Sequence, residues 1–431
     1  MKTQVTTNFD VLVIGGGAGG ISVIASLLKR QPDLKIALAE PSSEHYYQPG
    51  WTLVGRGVFK HQQTVKLMEN LIPKKVNWYQ SAAAHFSPMH NQVTLVDGTC
   101  LSYRSLIVAI GLQLNWSAIE GLDKNLGSHG ITSNYLQGLA PYTWELVKQL
   151  KHGHAIFTQP PMPIKCAGAP QKAMYLSCDH WQQKQVLNKI NVEFCTAGAA
   201  LFGVPDYVPA LQRYVKRYNI NLNMQTNLMA IDASSKTAYF KQTNVDGSFT
   251  NIEKRFDLLH ICPPQIAPEV IRMSSLADQA GWVDIHPDTL QHKTWANVFA
   301  LGDCANTPNA KTAAAVRKQA PVVAENILSM LNNGQLRAVY DGYGSCPLTV
   351  ERGKIVLAEF LYGGKVNPTF PKWLIDGTKP SRLSWLLKEK LLPPLYWYAM
   401  LKGYEWMASP LYQDDIPRDR HVNPSCNFNK N

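Results

Sequence analysis

A chain of 431 residues, at roughly 150 per domain, has room for about three units with real cores. Apolar residues make up 45% and charged residues 17%, with 29 Gly and 27 Pro, which excludes a disordered, collagenous or low-complexity chain. Lys plus Arg number 42 against 31 Asp plus Glu, a net +11 that suits an anionic partner, and eight cysteines without a CxxC pair exclude a disulfide scaffold and a zinc or thioredoxin motif.

The uncharged run Val11 to Leu28 is long enough for a membrane span, but five of its residues are glycines between Gly15 and Gly20. The pattern predicts a strand Phe9 to Ile14, a glycine turn, a helix from about Gly19 to Arg30, and a second strand Lys35 to Ala39 ending at Glu40. Only Lys2 precedes the run as a base and Asp10 adjoins it, so neither secretion nor organelle import is expected and the chain should stay where it is made. Gly15, Gly17 and Gly20 form a GxGxxG: the first for the tight turn, the second for approach of a pyrophosphate, the third for helix–strand packing. Glu40, twenty residues later, is placed to accept hydrogen bonds from an adenosine ribose. Ala18 and Gly19 open the helix whose N–H groups face the phosphates.

Further apolar strands are expected at Ser105 to Ile110, Ala155 to Thr158, Val192 to Thr196 and Val298 to Leu301, the alternation of parallel α/β sheets. A hairpin is predicted over Thr237 to Ile252 around Asp246-Gly247, and another turn at Asp97-Gly98. After the strand at 155–158, where a second glycine fingerprint would cradle NADH phosphates, stands Gln159-Pro160-Pro161-Met162-Pro163-Ile164-Lys165-Cys166-Ala167-Gly168-Ala169-Pro170. Proline at the first position of a helix starting near Ala169 puts Cys166 just upstream of a helix N-terminus and beside Lys165, both of which lower a thiol pKa. Such a cysteine is either activated or a small buried hydrophobe.

The segment Val298 to Ala305, with Gly302 and Asp303, resembles the late strand-Gly-Asp element of flavoproteins with two dinucleotide-binding domains. That resemblance implies FAD, with Asp303 on the ribityl chain and the helix start at Ala313, Ala314, Ala315 and Val316 facing the pyrimidine end of the flavin. Cys346 lies among Gly342, Gly344 and Pro347 before an expected strand Lys354 to Phe360, which reads as an accessible loop. From Lys379 to Leu411, Leu383, Leu386, Leu387 and Leu391 follow helical spacing, Pro393-Pro394 breaks it, and Trp397, Met400, Leu401 and Tyr404 resume it. Two short amphipathic helices with aromatic and basic residues are expected, lying in a membrane interface, packed on the core, or forming a dimer contact.

Taken with Tyr47-Gln48-Pro49-Gly50, Gly281-Trp282-Val283, Lys311-Thr312-Ala313-Ala314-Ala315 and Tyr343-Gly344-Ser345-Cys346-Pro347-Leu348, these motifs resemble sulfide:quinone oxidoreductases of the mitochondrial branch. The resemblance implies an α/β fold with two Rossmann-like domains and a C-terminal amphipathic anchor. Its divisions fall at 1–118 with 276–335 for FAD, 119–275 for the second domain carrying Cys166, and 336–431 for the C-terminal region. It implies a Cys166–Cys346 redox disulfide that sulfide opens, FAD contacts that include Gln48 and Ala83, and a membrane quinone as electron acceptor; as the sequence departs from the mitochondrial enzymes in showing no import leader, a peripheral place on a bacterial cytoplasmic membrane is expected. A small thiol or sulfite as sulfur acceptor and a homo-oligomer are compatible with it; Cys178 and Cys304 read as bystanders. The competing expectations are a type II NADH:quinone reductase, which needs the fingerprint that the prolines replace, and a non-catalytic flavin-bearing membrane or nucleic-acid protein. No aromatic-basic RNA motif supports a nucleic-acid partner.

Overall fold

The computed structural model describes residues 7–415. Its first sheet is built around the strand Thr7–Ile14, whose Val11 to Ile14 are at most 1% exposed because the sheet is covered on both faces. Ile36–Ala39 flanks it on one side and Cys100–Val108 on the other, both parallel; Asn77–Tyr79 and Val298–Ala300 extend the parallel part. The strands Ala83–Ser87 and Gln92–Leu95 add antiparallel pairing, the latter turning at Asp97-Gly98 into Cys100–Val108. The predicted βαβ unit is present, with its helix at Ala18–Arg30.

The second sheet is entirely parallel, in the order Ile131–Thr132, Leu258–His260, Gly153–Gln159, Ile190–Thr196, Asn221–Asn223. An antiparallel triple of Thr226–Asp232, Thr237–Thr243 and Phe249–Arg255 contains the predicted hairpin. The mixed α/β fold is thus two open sheets, and ligands of such sheets bind beyond the carboxyl ends of the strands.

The C-terminal third packs on both cores. The antiparallel pair Gly344–Glu351 and Lys354–Phe360 buries Cys346, Leu348, Val356 and Ala358 with the core of the second sheet. Farther on, Tyr396, Trp397, Met400 and Leu401 join the core of the first. Cys346 is therefore on a strand and 1% exposed, not on an open loop. Pro347 misled the reading: in a two-stranded ribbon a proline costs no bond on the unpaired edge, so strand pairing survives it. The expected helix break at Pro393-Pro394 is also absent. Arg382–Leu386 runs through a π-turn, Leu387–Leu391, into the helix Leu392–Tyr398, and both prolines fall directly after the π-turn, where the regular hydrogen-bond ladder is already interrupted. Among the described residues no helix is long and apolar enough to cross a membrane.

Candidate functional site

A cavity of about 690 Å³ opens where the two sheets and the C-terminal helices meet. Its floor is the glycine turn. Gly15 has φ +99°, and a Cβ on Gly20 would collide with the Gly15 carbonyl oxygen, so helix and strand approach as closely as they do only with glycine there. A Cβ on Gly17 would touch nothing, which leaves open space in front of the helix start. Gly15, Gly17, Ala18, Gly19 and Glu40 line the cavity; Gly20 lies behind them. Glu40 accepts the Gly16 N–H at 2.6 Å through one carboxylate oxygen and the Ser42 N–H at 2.7 Å through the other, which leaves lone pairs on both for a ribose.

At the far end Gly302, φ +77°, and Asp303 form a tight turn. Lys311 Nζ donates to the carbonyls of Asp303 and Ala305, each at 2.8 Å, and so fixes the turn. Burial raises the Asp303 pKa, with Lys311 and Lys165 opposing it. Ala313, Ala314 and Val316 line the cavity at the start of the helix Ala313–Leu331, whereas Ala315 is turned away and gives its N–H to the Thr312 hydroxyl at 3.2 Å. Gln48 and Ala83, which motif reasoning alone does not single out, also line it. The open glycine turn, the half-satisfied carboxylate and the helix start together fit a dinucleotide. Glu40→Ala and Asp303→Ala are each expected to lose FAD on gel filtration about tenfold more readily, the scale of one or two charge-assisted hydrogen bonds. Glu40→Gln, which keeps an acceptor for a backbone N–H, should lose it less; equal retention in all three would remove these carboxylates from the site.

Cys166 reaches the same cavity from the second sheet. Its backbone is left-handed, φ +82°, and its carbonyl accepts the Ala169 N–H at the start of the helix Ala169–Gln183. Cys166 Sγ and Cys346 Sγ are 3.8 Å apart and not bonded; a disulfide needs about 2.05 Å. Gly168 makes the approach possible: a Cβ there would strike Leu348 and come within 2.8 Å of Cys346 Sγ. The expected cation is a different one. Lys165 points to Gln48 Oε1 at 2.8 Å, and Lys172 Nζ stands 3.2 Å from Cys166 Sγ. Long helical side chains lean toward the helix N-terminus, which brings Lys172 back over Cys166.

The hydrogen bond from Cys346, with Lys172 beside it, holds the Cys166 thiol well below its usual range against the effect of burial; the same contact with Cys166 pushes Cys346 up. Burial works against charge on Lys172, but the two sulfurs outweigh it and keep it protonated. A third amine, Lys388, is 4% exposed on the π-turn and lines the cavity; burial, and then Lys172, push it down to about 7. Nothing in the leucine pattern around Lys388 marks it as a site residue. Cys178 and Cys304 are fully buried, and burial raises both thiols.

No protein-family model matches the chain. The mitochondrial sulfide:quinone oxidoreductase of Mus musculus is 39% identical over 397 residues, covering 92% of this chain and 87% of that protein. The chain belongs to the sulfide:quinone oxidoreductase family. It is accordingly a flavin-dependent oxidoreductase, and FAD is its cofactor. The Dictyostelium discoideum mitochondrial enzyme is 40% identical over 407 residues, 93% of this chain and 88% of that one. The structure of Aquifex aeolicus sulfide:quinone oxidoreductase superposes with TM-score 0.77 at 19% identity over 93% of this chain and 92% of that one, a likeness of fold. NDH2 of Plasmodium falciparum in complex with NADH matches less completely, at TM-score 0.54, 15% identity, 70% of this chain and 65% of that one. The expectation of a bacterial membrane finds no support, since these two relatives and that of Schizosaccharomyces pombe are named as mitochondrial.

Proposed function

We propose that this family member oxidises sulfide at the Cys166 and Cys346 pair and passes two electrons through FAD to a membrane quinone. The observation that carries the reading is the pair itself: two sulfurs 3.8 Å apart, one beside a lysine ammonium at 3.2 Å, at the carboxyl end of the strand where an NADH fingerprint would otherwise stand. In the resting enzyme the two form a disulfide. Hydrosulfide attacks Cys346 Sγ, the S–S bond breaks, and its electron pair leaves on Cys166, the more acidic and therefore better leaving thiol. Cys346 then carries the persulfide, and Lys172 holds the Cys166 thiolate. With Cys346 1% exposed, a nucleophile as small as hydrosulfide is favoured for the attack on its sulfur. A nucleophilic acceptor, a small thiol, sulfite or, with sulfide alone, a second hydrosulfide, takes the terminal sulfur, and the two thiolates return to the disulfide by giving up two electrons. Bound FAD supplies the two-electron relay between the thiols and the quinone.

Anaerobic stopped-flow mixing tests this directly: sulfide is expected to bleach the flavin absorbance and NADH is not. Bleaching by NADH alone would favour the NADH:quinone reductase reading.

We also propose that the tail is the membrane contact. Leu383, Leu386, Leu391, Tyr398 and Trp406 are 41–67% exposed, and Trp373, before the stretch that the sequence pattern marks, is 84% exposed. Exposed Tyr404 and Trp406 also line the cavity, so its mouth opens among them. That arrangement suits a peripheral protein drawing an apolar quinone from the bilayer. Deleting the tail would remove Trp397 and Leu401 from the core, so surface substitutions are the cleaner test. Trp373→Ser combined with Leu386→Ser and Trp406→Ser should abolish flotation with anionic liposomes and raise the quinone KM about tenfold or more, as roughly three buried apolar anchors are lost. Sulfide bleaching of the flavin should be unchanged. Undiminished flotation would assign these side chains to a protein contact.

A further inference from the structure

Gly16, in the middle of the glycine turn, is held from both sides. It gives its N–H to Glu40 at 2.6 Å, and its carbonyl oxygen lies 3.1 Å from His45 Nδ1. The other ring nitrogen, His45 Nε2, lies 2.7 Å from the Tyr396 hydroxyl, 351 residues on in the chain. His45 is 2% exposed on the strand Glu44–Tyr46, and Tyr396 belongs to the tail helix Leu392–Tyr398. The Tyr47 ring packs on Tyr396 at 4.9 Å and the Trp397 ring on His45 at 5.7 Å, so the two partners are fixed in place.

The proton positions follow from the partners. Burial, over the opposing bond to Gly16, pushes the His45 pKa down to about 4, so the ring is neutral and one nitrogen donates while the other accepts. The Gly16 carbonyl can only accept, which places the proton on Nδ1. His45 Nε2 then accepts from the Tyr396 hydroxyl, whose own pKa burial raises.

What this bond controls lies across the same peptide. The Gly16–Gly17 peptide is trans, and in a trans peptide the C=O and the following N–H point in opposite directions. Drawing the Gly16 oxygen to His45 therefore turns the Gly17 N–H away from it, and none of the described residues accepts that N–H. Gly17 lines the cavity, Gly16 does not, and a Cβ on Gly17 would meet only open space. With glycine on both sides, no side chain opposes rotation of this peptide. Rotated, it would present an oxygen where an anion needs an N–H.

We propose that His45 is a positioning residue for the cofactor: set in its Nδ1–H form by Tyr396 of the tail, it holds the Gly16–Gly17 peptide so that the Gly17 N–H serves a phosphate oxygen of FAD. The tail is thereby tied to cofactor retention as well as to the cavity mouth.

The test is the release of FAD from the loaded full chain after dilution, followed by the rise in free-flavin fluorescence, in His45→Leu, His45→Asn, His45→Gln and Tyr396→Phe. The Asn amide nitrogen falls where Nδ1 stands and that of Gln where Nε2 stands, so only Asn keeps the donor to Gly16. Release should be about tenfold faster in His45→Leu and His45→Gln, the scale of one hydrogen bond to a charged group. His45→Asn should stay within about twofold of the parent, although it melts lower for its void and the unpaired Tyr396 hydroxyl. Tyr396→Phe, which keeps the ring and loses the bond that sets the tautomer, should release FAD about threefold faster. A side chain that only fills space gives the opposite order, with Gln and Leu retaining FAD better than the smaller Asn. That order, or equal release from all the His45 variants, would overturn the proposal, and the Asn and Gln proteins decide it even if His45→Leu fails to fold. Unchanged release from Tyr396→Phe would overturn the part given to the tail.

Discussion

Cys166→Ser and Cys346→Ser are each expected to hold FAD as firmly as the parent and to lose sulfide-driven flavin reduction by roughly a thousandfold, about 4 kcal/mol of barrier at 1.4 kcal/mol per decade. FAD retention should survive because neither sulfur touches the glycine turn, Glu40 or the Asp303 turn. The rate should collapse because a hydroxyl can neither form the S–S bond that sulfide opens nor leave as an anion near neutral pH. Cys178→Ser and Cys304→Ser are the controls: both thiols are buried, away from the pair, and burial holds them protonated. They should reduce within a few-fold of the parent, apart from a stability cost for a buried hydroxyl. Mass spectrometry of the unreduced protein should show a Cys166 to Cys346 cross-link. Two free thiols, with near-normal turnover in Cys346→Ser, would end the disulfide mechanism while leaving the family and its FAD in place.

Lys172→Met should move the acid limb of the sulfide reduction profile to higher pH. The direction follows from the thiol. Cys166 is held well below its usual pKa first by the hydrogen bond from Cys346 and then, over burial, by Lys172, so its thiolate disappears only as pH falls through that depressed value. Removing the ammonium at 3.2 Å raises it, because an adjacent opposite charge is lost. The variant should therefore be slowed most toward acid pH, and the deficit should shrink as pH rises. Lys388→Met separates the two amines. Lys388 loses its proton near pH 7, so its removal should matter below that pH and fade above it. A Lys172→Met profile parallel to the parent at every pH would mean that the lysine only packs against the sulfur.

The N-terminal βαβ unit and its cofactor chemistry were legible in the sequence because each part is local. A strand, three glycines at fixed spacing and an acid twenty residues on all lie within one continuous stretch, and the period of the apolar residues reports the strand and helix directly. The late Gly302-Asp303 turn was legible for the same reason. Cys166 was half legible: the proline-rich loop and the helix start declared its position, but the nearest amine in sequence, Lys165, was not the one that reaches it. A side chain on the first turn of a helix returns over the preceding loop, so Lys172, six residues away, takes that place.

What only the tertiary structure decided is everything that joins distant segments. The strand address of Cys346, 180 residues from Cys166, depends on pairing with Lys354–Phe360 and on the space that Gly168 leaves. Lys388 comes from a π-turn in the tail and meets the sulfur pair's cavity only through the fold. The sequence by itself determined which segments would make strands, turns and helix starts, since those obey short-range sterics and periodicity. The cavity was decided by packing, because burial and the approach of charges across sheets are properties of the assembled core and carry no short-range signal.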